Sequence, residues 1–243
     1  MTERGATHAQ VNRPLLEEFA GVLAGFEWDV ALLQEAPPRW FHEFTRRLGA
    51  SGALALTSRN LVPPVQWRLA DWNPDLLASS DGGSNQLLVR GRLCEVRRMR
   101  LAWRPERRTM LWARVELPEG RVCVANLHAS AGLPRKAAAE VEAAAECAVD
   151  WAGRDPLVFG GDLNLRPRAD PEPFARLRAR FDLRDPTEAD AIDHLLVRGL
   201  RVVEPPRRLA PDSREVTEPD GLRLRLSDHE PVAAAFSTRG RAE

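Results

Sequence analysis

The sequence predicts an α/β (α+β) protein built as a four-layer sandwich, two mixed β-sheets packed face to face with helices outside. Three observations carry that prediction. Helix-periodic stretches and short apolar runs alternate at both ends of the chain, with consecutive strand candidates between them. The strand candidates are apolar on both sides, as strands covered on both faces must be. A chain of 243 residues, 44% apolar and 29% charged, is long enough and ordinary enough to bury such a core.

The elements follow in order. In "PLLEEFAGVLAGFEWD", Leu15, Phe19, Val22 and Phe26 recur at helical spacing, and Pro14 suits a first helical position. "DVALLQE" is a buried strand that delivers Gln34 and Glu35 to a rim. "APPRW" breaks it, and "WFHEFTRRLG" reads as a helix closed by Gly49. Residues 50–84, rich in Ser, Pro, Asn, Asp and Gly and containing Trp67 and Trp72, read as a long surface excursion suited to binding contacts. "NQLLVR", "CEVRRMRL", "TMLWARVEL" and "RVCVANLH" are successive strands. "PRKAAAEVEAAAECAVDWAG" is the clearest helix, alanine-rich with Pro134 near its start and Gly153 past its end. "PLVFGGD" is a buried strand and "EPFARLRARF" a short helix. "AIDHLLVRG" and "EPVAAAF" are the last strands, separated by the Pro- and Arg-rich segment 204–225. Residues 1–13 read as a loose tail, 14–237 as one domain and 238–243 as a second tail.

Charge and cysteine narrow the function classes. Acidic and basic residues balance at 35 each, so net charge gives no push toward nucleic acid or an anionic membrane. Nearly all positive charge is arginine, Lys136 being the only lysine. Cys94, Cys123 and Cys147 are dispersed, which excludes a disulfide framework or a cysteine zinc site and fits a reducing cytosol. No stretch reaches membrane-spanning length, and "MTERGATHAQVNRP" has no apolar signal core. A cytoplasmic monomer without a membrane anchor is expected.

Chemistry concentrates at strand ends: Glu35, Asn126 with His128, Asp162 with Asn164, Asp193 with His194, and Asp228 with His229. A buried carboxylate is costly unless a cation or hydrogen bonds compensate it. So many acids and imidazoles at strand ends call for one common cause, a metal and phosphate site. Oxygen ligands without cysteine point to Mg²⁺ or Mn²⁺. Strand alternation puts Asn126 and His128 on one face and sends Asp193 and His194 to opposite faces, which leaves His194 for the core. His42 and His8 read as inert. Gly160 and Gly161 let backbone approach closely where Asp162 and Asn164 leave their strand.

"LLQE", "NLH", "GGDLN", "IDHLLV" and "LSDHEPV", in this order and spacing over about residues 15–236, resemble the endonuclease/exonuclease/phosphatase superfamily. The resemblance implies roles. Glu35 would bind metal, with Asp228 near it. Asp162 would position or activate water, and Asn164 would hold phosphoryl oxygens. His229 would be the catalytic histidine and Asp193 the carboxylate that orients it. His128 would contact phosphate or help the leaving group, with Asn126 beside it in substrate binding. Asn85, in "GGSNQLLVR", matches a family strand that opens with a small residue and Asn, although turn chemistry accounts for it equally well.

The implied function is Mg²⁺- or Mn²⁺-dependent hydrolysis of a phosphodiester or phosphomonoester, nuclease first and a small-molecule or phospholipid-headgroup phosphatase second. The substrate is a phosphate ester, with nucleic acid a candidate. A zinc amidase is disfavoured, because the histidines lack H-E-x-x-H spacing and no G-x-S-x-G elbow is present. One departure stands out. The family's usual first strand, with its asparagine, has no counterpart in residues 1–13, which predicts a natural protein extending upstream of Met1. The competing reading is a fragment without activity.

Overall fold

The computed structural model describes residues 14–57, 83–104 and 106–238. Four helices and twelve strands are described. In chain order they are α1 (Leu16–Gly25), β1 (Val30–Ala36), α2 (Phe41–Leu48), β2 (Ser51–Leu56), β3 (Ser84–Val89), β4 (Arg92–Ala102), β5 (Arg108–Leu117), β6 (Gly120–His128), α3 (Pro134–Ala152), β7 (Leu157–Asp162), α4 (Pro171–Phe181), β8 (Asp193–Arg198), β9 (Arg201–Arg208), β10 (Glu215–Thr217), β11 (Arg223–Arg225) and β12 (Val232–Ser237).

The central layer is a five-stranded mixed sheet in the order β4-β5-β6-β7-β8. Its β6–β7 pair is parallel and the others are antiparallel. A parallel pair needs a crossover, and α3 supplies it. One face carries Met110, Trp112, Cys123, Ala125, Phe159 and Leu196 against the alanine face of α3 (Ala137, Ala144, Ala148) and against Phe174 and Leu177 of α4. Small alanines let this helix sit close to the sheet. The opposite face carries Leu111, Ala113, Val115, Val122 and Val124 against Ala53, Ala55, Leu87 and Val89 of a second sheet, ordered β1-β3-β2. The outer face of that sheet, with Ala31, Leu33 and Leu88, is covered by Phe19 and Leu23 of α1 and Phe44 and Leu48 of α2. Helices, sheet, sheet, helices is the four-layer sandwich the sequence predicts.

Two segments differ from the sequence reading. Residues 51–56 form β2, antiparallel to β3, where the composition predicts a surface excursion. "SGALAL" has the alternation, with Ala53 and Ala55 turned inward, but its residues are small and the signal is weak. The remainder of that excursion, with Trp67 and Trp72, lies outside the described residues. Within 204–225, β9 pairs with β12, and β10 pairs with β11. Pro205 and Pro206 argue against a strand, yet among the described residues β9 has one partner only and its register is interrupted, where prolines are tolerated.

The second sheet is divided. Among the described residues, β1 pairs only with β3, and β12 pairs only with β9. Between them lies the lower part of a cavity of about 1770 Å³, whose walls include Val30, Leu32, Val122, Val124, Val158 and Leu200. Its upper part holds the polar residues singled out by the sequence.

Candidate active site

Register brings the polar residues together. In the parallel β6–β7 pair, His128 lies opposite Asp162, and in the antiparallel β7–β8 pair, Asp162 lies opposite Asp193. The three thus form a row across the sheet edge, although they are spread over the sequence. The loop after β11 adds Asp228 and His229, and β1 adds Glu35. All six line the one cavity, together with Asn164.

Backbone geometry is specialised here. A Cβ on Gly160 would stand 2.3 Å from the His194 carbonyl oxygen, and one on Gly161 2.1 Å from that of Leu127. No side chain fits, so the paired glycines are what let β7 pass between β6 and β8 at this point. Glu35 and Asn164 both adopt left-handed backbone, with φ of 55° and 51°. Neither is glycine, and such conformations cost roughly 1–3 kcal/mol unless the surroundings impose them. At Glu35 the cause is an irregularity in the β1–β3 pairing between Leu33 and Ala36. At Asn164 the backbone N–H donates to Asp162 Oδ1 (2.9 Å) and the side-chain Nδ2 donates to the Ala129 carbonyl (3.0 Å).

The electrostatics separate the two histidines. His229 Nδ1 donates to Asp193 Oδ2 at 2.9 Å. That carboxylate raises the His229 pKa to about 9, against the opposing effect of partial burial, so the ring is an imidazolium at neutral pH. His128 is 5% exposed, and burial, with Arg108 and His229 adding repulsion, lowers its pKa to about 3. It is neutral, so its approaches to Asp162 Oδ2 (3.3 Å) and Glu35 Oε1 (3.7 Å) are polar contacts and not ion pairs. Its Nδ1 is buried without a hydrogen-bond partner among the described residues. Asp162 is 6% exposed, and burial followed by the charge of Asp193 raises its pKa to about 7.

Ligand atoms of Asp162, Asp193 and His229 lie within 4.8 Å of one another, and with His229 protonated the two carboxylates are the donors that this group offers a metal ion. Glu35 and Asp228 stand at the exposed margin, Asp228 4.0 Å from His229 Nε2. Among the described residues, no arginine or lysine forms an ion pair with any of these four carboxylates. A concentration of acids with so little cationic compensation, all hard oxygen donors, fits a divalent cation.

Three further residues have other tasks. Asn126 is fully buried, and its Nδ2 donates to the Leu33 and Gln86 carbonyls while its Oδ1 accepts from Gln34. Both amide hydrogens are spent on tying β6 to β1 and β3, so the substrate contact expected from sequence has no free N–H to use. Asn85 donates to the Thr109 carbonyl and does not line the cavity, although its Oδ1 is buried without a partner among the described residues. His194 points to the helix side, as alternation requires. Its Nδ1 accepts from the Thr187 N–H, its Nε2 donates to the Leu165 carbonyl, and its ring meets Phe174 at 5.0 Å.

Two supporting residues escape the motif reading. Arg214, buried, donates to the Asp228 carbonyl and to Glu230, and so fixes the loop that carries His229. Nothing in "PDSRE" marks it. Glu140 is a buried acid on α3, and both its oxygens accept from Ser130, by N–H and Oγ at 2.8 Å each. A helical wheel does mark this one, because Glu140 falls on the inward stripe of Ala137, Val141 and Ala144.

Among curated proteins, none matches the chain in sequence. Solved structures do match it in fold. The human Nocturnin catalytic domain with bound sulfate has a TM-score of 0.68 at 17% identity, covering 95% of this chain and 89% of that one. A mannosyl-6-phosphatase from Bacteroides thetaiotaomicron VPI-5482 has 0.67 at 13% identity, covering 91% and 90%. A humanized D. rerio TDP2 has 0.53 at 16% identity, covering 92% and 90%. The row of acids and imidazoles on this sandwich agrees with the family model described as "Endonuclease/Exonuclease/phosphatase family", which matches residues 11–229. The chain belongs to that family.

Proposed function

We propose that this protein is a divalent-cation-dependent phosphoesterase whose substrate is a nucleic-acid phosphodiester. The observation that carries the proposal is the compact Asp162, Asp193 and His229 group at the base of one cavity, with neutral His128 beside it. Phosphate-ester hydrolysis needs an activated water, neutralised phosphoryl oxygens and a stabilised leaving oxygen. Asp162, with its pKa near 7, suits the role of base, taking a proton from the attacking water. The His229 imidazolium, held by Asp193, balances phosphoryl charge and gives its Nε2 proton to the leaving oxygen. Asn164 and His128 orient the phosphoryl group.

Glu35, Asp162, Asp193 and Asp228 are the donors available to a Mg²⁺ or Mn²⁺ ion. Such an ion would supply electrostatic stabilisation of charge on the phosphoryl oxygens. Arg225, half-exposed, also lines the cavity and supports a substrate that carries more than the scissile phosphate, whereas Arg214 is held by Glu230.

The test is hydrolysis of plasmid, short oligonucleotides, phosphoinositides and mannose 6-phosphate with Mg²⁺ or Mn²⁺. Turnover of the nucleic acids that is lost in excess EDTA and in His229→Ala is expected. Activity that survives both sinks the mechanism. Activity on the lipid or sugar phosphates alone sinks the nuclease reading and leaves the phosphoesterase.

A further inference from the structure

We infer that the turn between β4 and β5 is a second binding subsite. It holds a single-stranded nucleic-acid segment that flanks the scissile phosphate, with a base stacked on Trp103 and phosphates on Arg100, Arg104 and Arg107. Given the nucleic-acid reading of the active site, on which this subsite rests, the turn shows where the rest of the substrate lies.

Charge marks the turn. The chain as a whole is neutral, yet "RRMRLAWRPERR", from Arg97 to Arg108, holds six arginines and one acid. Three of the six are committed to the fold. Arg97 pairs with Glu95, Arg98 Nε donates to the Leu54 carbonyl, and Arg108 pairs with Glu106 at 2.8 Å. Among the described residues, Arg100, Arg104 and Arg107 have no carboxylate partner. Nε and Nη2 of Arg107 are buried without a hydrogen-bond partner among the described residues, and so is Nε of Arg108, a residue only 7% exposed. Buried N–H groups are normally matched. Burial, and after it the charge of Arg100, lowers the Arg107 pKa. Arginines crowded in this way repel one another, and a phosphate relieves both the repulsion and the unmatched donors.

An aromatic surface stands among these charges. Trp103 is 54% exposed, and the Arg100 guanidinium lies over its ring, 5.0 Å from the centroid. A large ring left in water beside cations suits base stacking, which accepts any base because every base has a π-face. A single strand can turn a base to such a ring. A duplex keeps its bases stacked on one another, and a bilayer calls for a broad apolar face where this turn offers one ring.

Position ties the turn to the chemistry. Leu111 lies opposite Asn126 in the β5–β6 pair, so Thr109 is level with His128 and the turn stands just beyond the active-site row. The charge of Arg108 reaches His128. Lys136, the only lysine of the chain, donates to the Arg104 carbonyl at 2.6 Å and lies 3.6 Å from Glu140 Oε1. Glu140 holds Ser130, next to the Ala129 carbonyl that accepts from Asn164. One chain of polar contacts thus runs from the turn to the amide that orients the phosphoryl group. A strand that enters the site along this side passes the turn within a few nucleotides.

The experiment reads the fluorescence anisotropy of a labelled single strand of about twelve nucleotides, DNA and RNA in turn, bound to the full chain in EDTA at a series of salt concentrations. Trp103→Ala is expected to weaken binding about five- to a hundredfold, the value of one stacked base, and Trp103→Phe to restore most of it. Arg104→Ala and Arg107→Ala should each lower the slope of log affinity against log salt by about one. An abasic strand of the same length should bind the unaltered protein as weakly as the full strand binds Trp103→Ala, a comparison that holds even where a variant fails to fold. Affinity unchanged in a folded Trp103→Ala, or an abasic strand bound as tightly as the full one, overturns the subsite. So does tighter binding of the duplex or of phosphatidylserine vesicles, which would make the turn a backbone or membrane contact. Cleavage of the strand in Mg²⁺ with a Kd that none of these substitutions alters overturns the subsite and leaves the nuclease reading. Trp103-dependent binding by a protein that cleaves no nucleic acid overturns the nuclease reading and leaves the subsite.

Discussion

The two faces of the five-stranded sheet are finished differently. On the helix face, Trp112, Phe159, Leu157 and Leu196 are covered by α3 and α4 and are at most 1% exposed. On the other face, cover is complete over β5, where Ala53 and Leu87 meet Leu111 and Ala113, and it fails over β7, where Val158 is only partly buried and faces the cavity. The candidate active-site row sits where the incompletely covered face meets the sheet edge. The difference teaches that a rigid platform and an accessible site need not be separated along the chain. β6 and β7 supply both, by sending alternate side chains to opposite faces.

The largest effect should come from breaking the covered face. Phe159→Ala removes a buried ring with no room to rearrange and should cost about 3–5 kcal/mol in urea unfolding. Val30→Ala, on the open side, should cost about 1 kcal/mol or less, because that side chain is already partly solvated. Equal costs would mean the cavity is filled in solution. The site itself should show the reverse profile. His229→Ala should lower kcat by about a hundred- to ten-thousandfold, the range for loss of a positioned proton donor, with a smaller fall in urea midpoint than Phe159→Ala. A large stability loss with unchanged kcat would reverse the assignment.

Much of this organisation is legible in the sequence, and the reasons are specific. Asp162 and Asn164 are marked by "GGDLN", because two glycines at a strand exit signal close backbone packing that presents the acid after them. His194 is assigned to the core by alternation alone. Asn126 is misread for the opposite reason. It shares a face with His128, but that face meets the β1–β3 sheet before it reaches the cavity, and only tertiary packing shows where the change occurs. β2 escapes the sequence because alanine and glycine give strands no distinctive pattern, and β9 because its prolines are tolerated only through the partner it has in three dimensions. Arg214 acts by holding a loop, a task that leaves no periodic trace.

Protonation sharpens the comparison between the buried row and its exposed margin. Asp162 and His229 both have folded pKa values above their ordinary ones, about 7 against 3.8 and about 9 against 6.5. In each case the folded protein holds a proton that the unfolded chain has released. Stability from this source is therefore present at low pH and is lost as pH rises, through about 4 to 7 for Asp162 and about 6.5 to 9 for His229. Without metal, the melting temperature should fall from pH 6.5 to 9, and Asp193→Asn should flatten that fall. A cation must compete with the Asp162 proton, so the rise in melting temperature on adding Mg²⁺ should be small at pH 5.5 and larger at pH 8. A rise independent of pH would place the ion away from Asp162.

The smallest effect tests how the closed face serves the open one. Glu140 lies within the α3 packing, yet it holds both donors of Ser130, next to the Ala129 carbonyl that accepts from Asn164. Glu140→Gln keeps the shape but removes one acceptor and the charge, leaving one donor of Ser130 unmatched at a cost of about 1–2 kcal/mol. The loop then loosens without unfolding, and Asn164 loses a fixed partner. The expected result is a drop in kcat of about tenfold, with KM nearly unchanged, because orientation of the phosphoryl group is lost and not its binding. Ser130→Ala should reproduce part of the drop, since it removes the Oγ bond and keeps the N–H bond. If Glu140→Gln lowers only the melting temperature, the residue belongs to the core alone and α3 does not reach the chemistry.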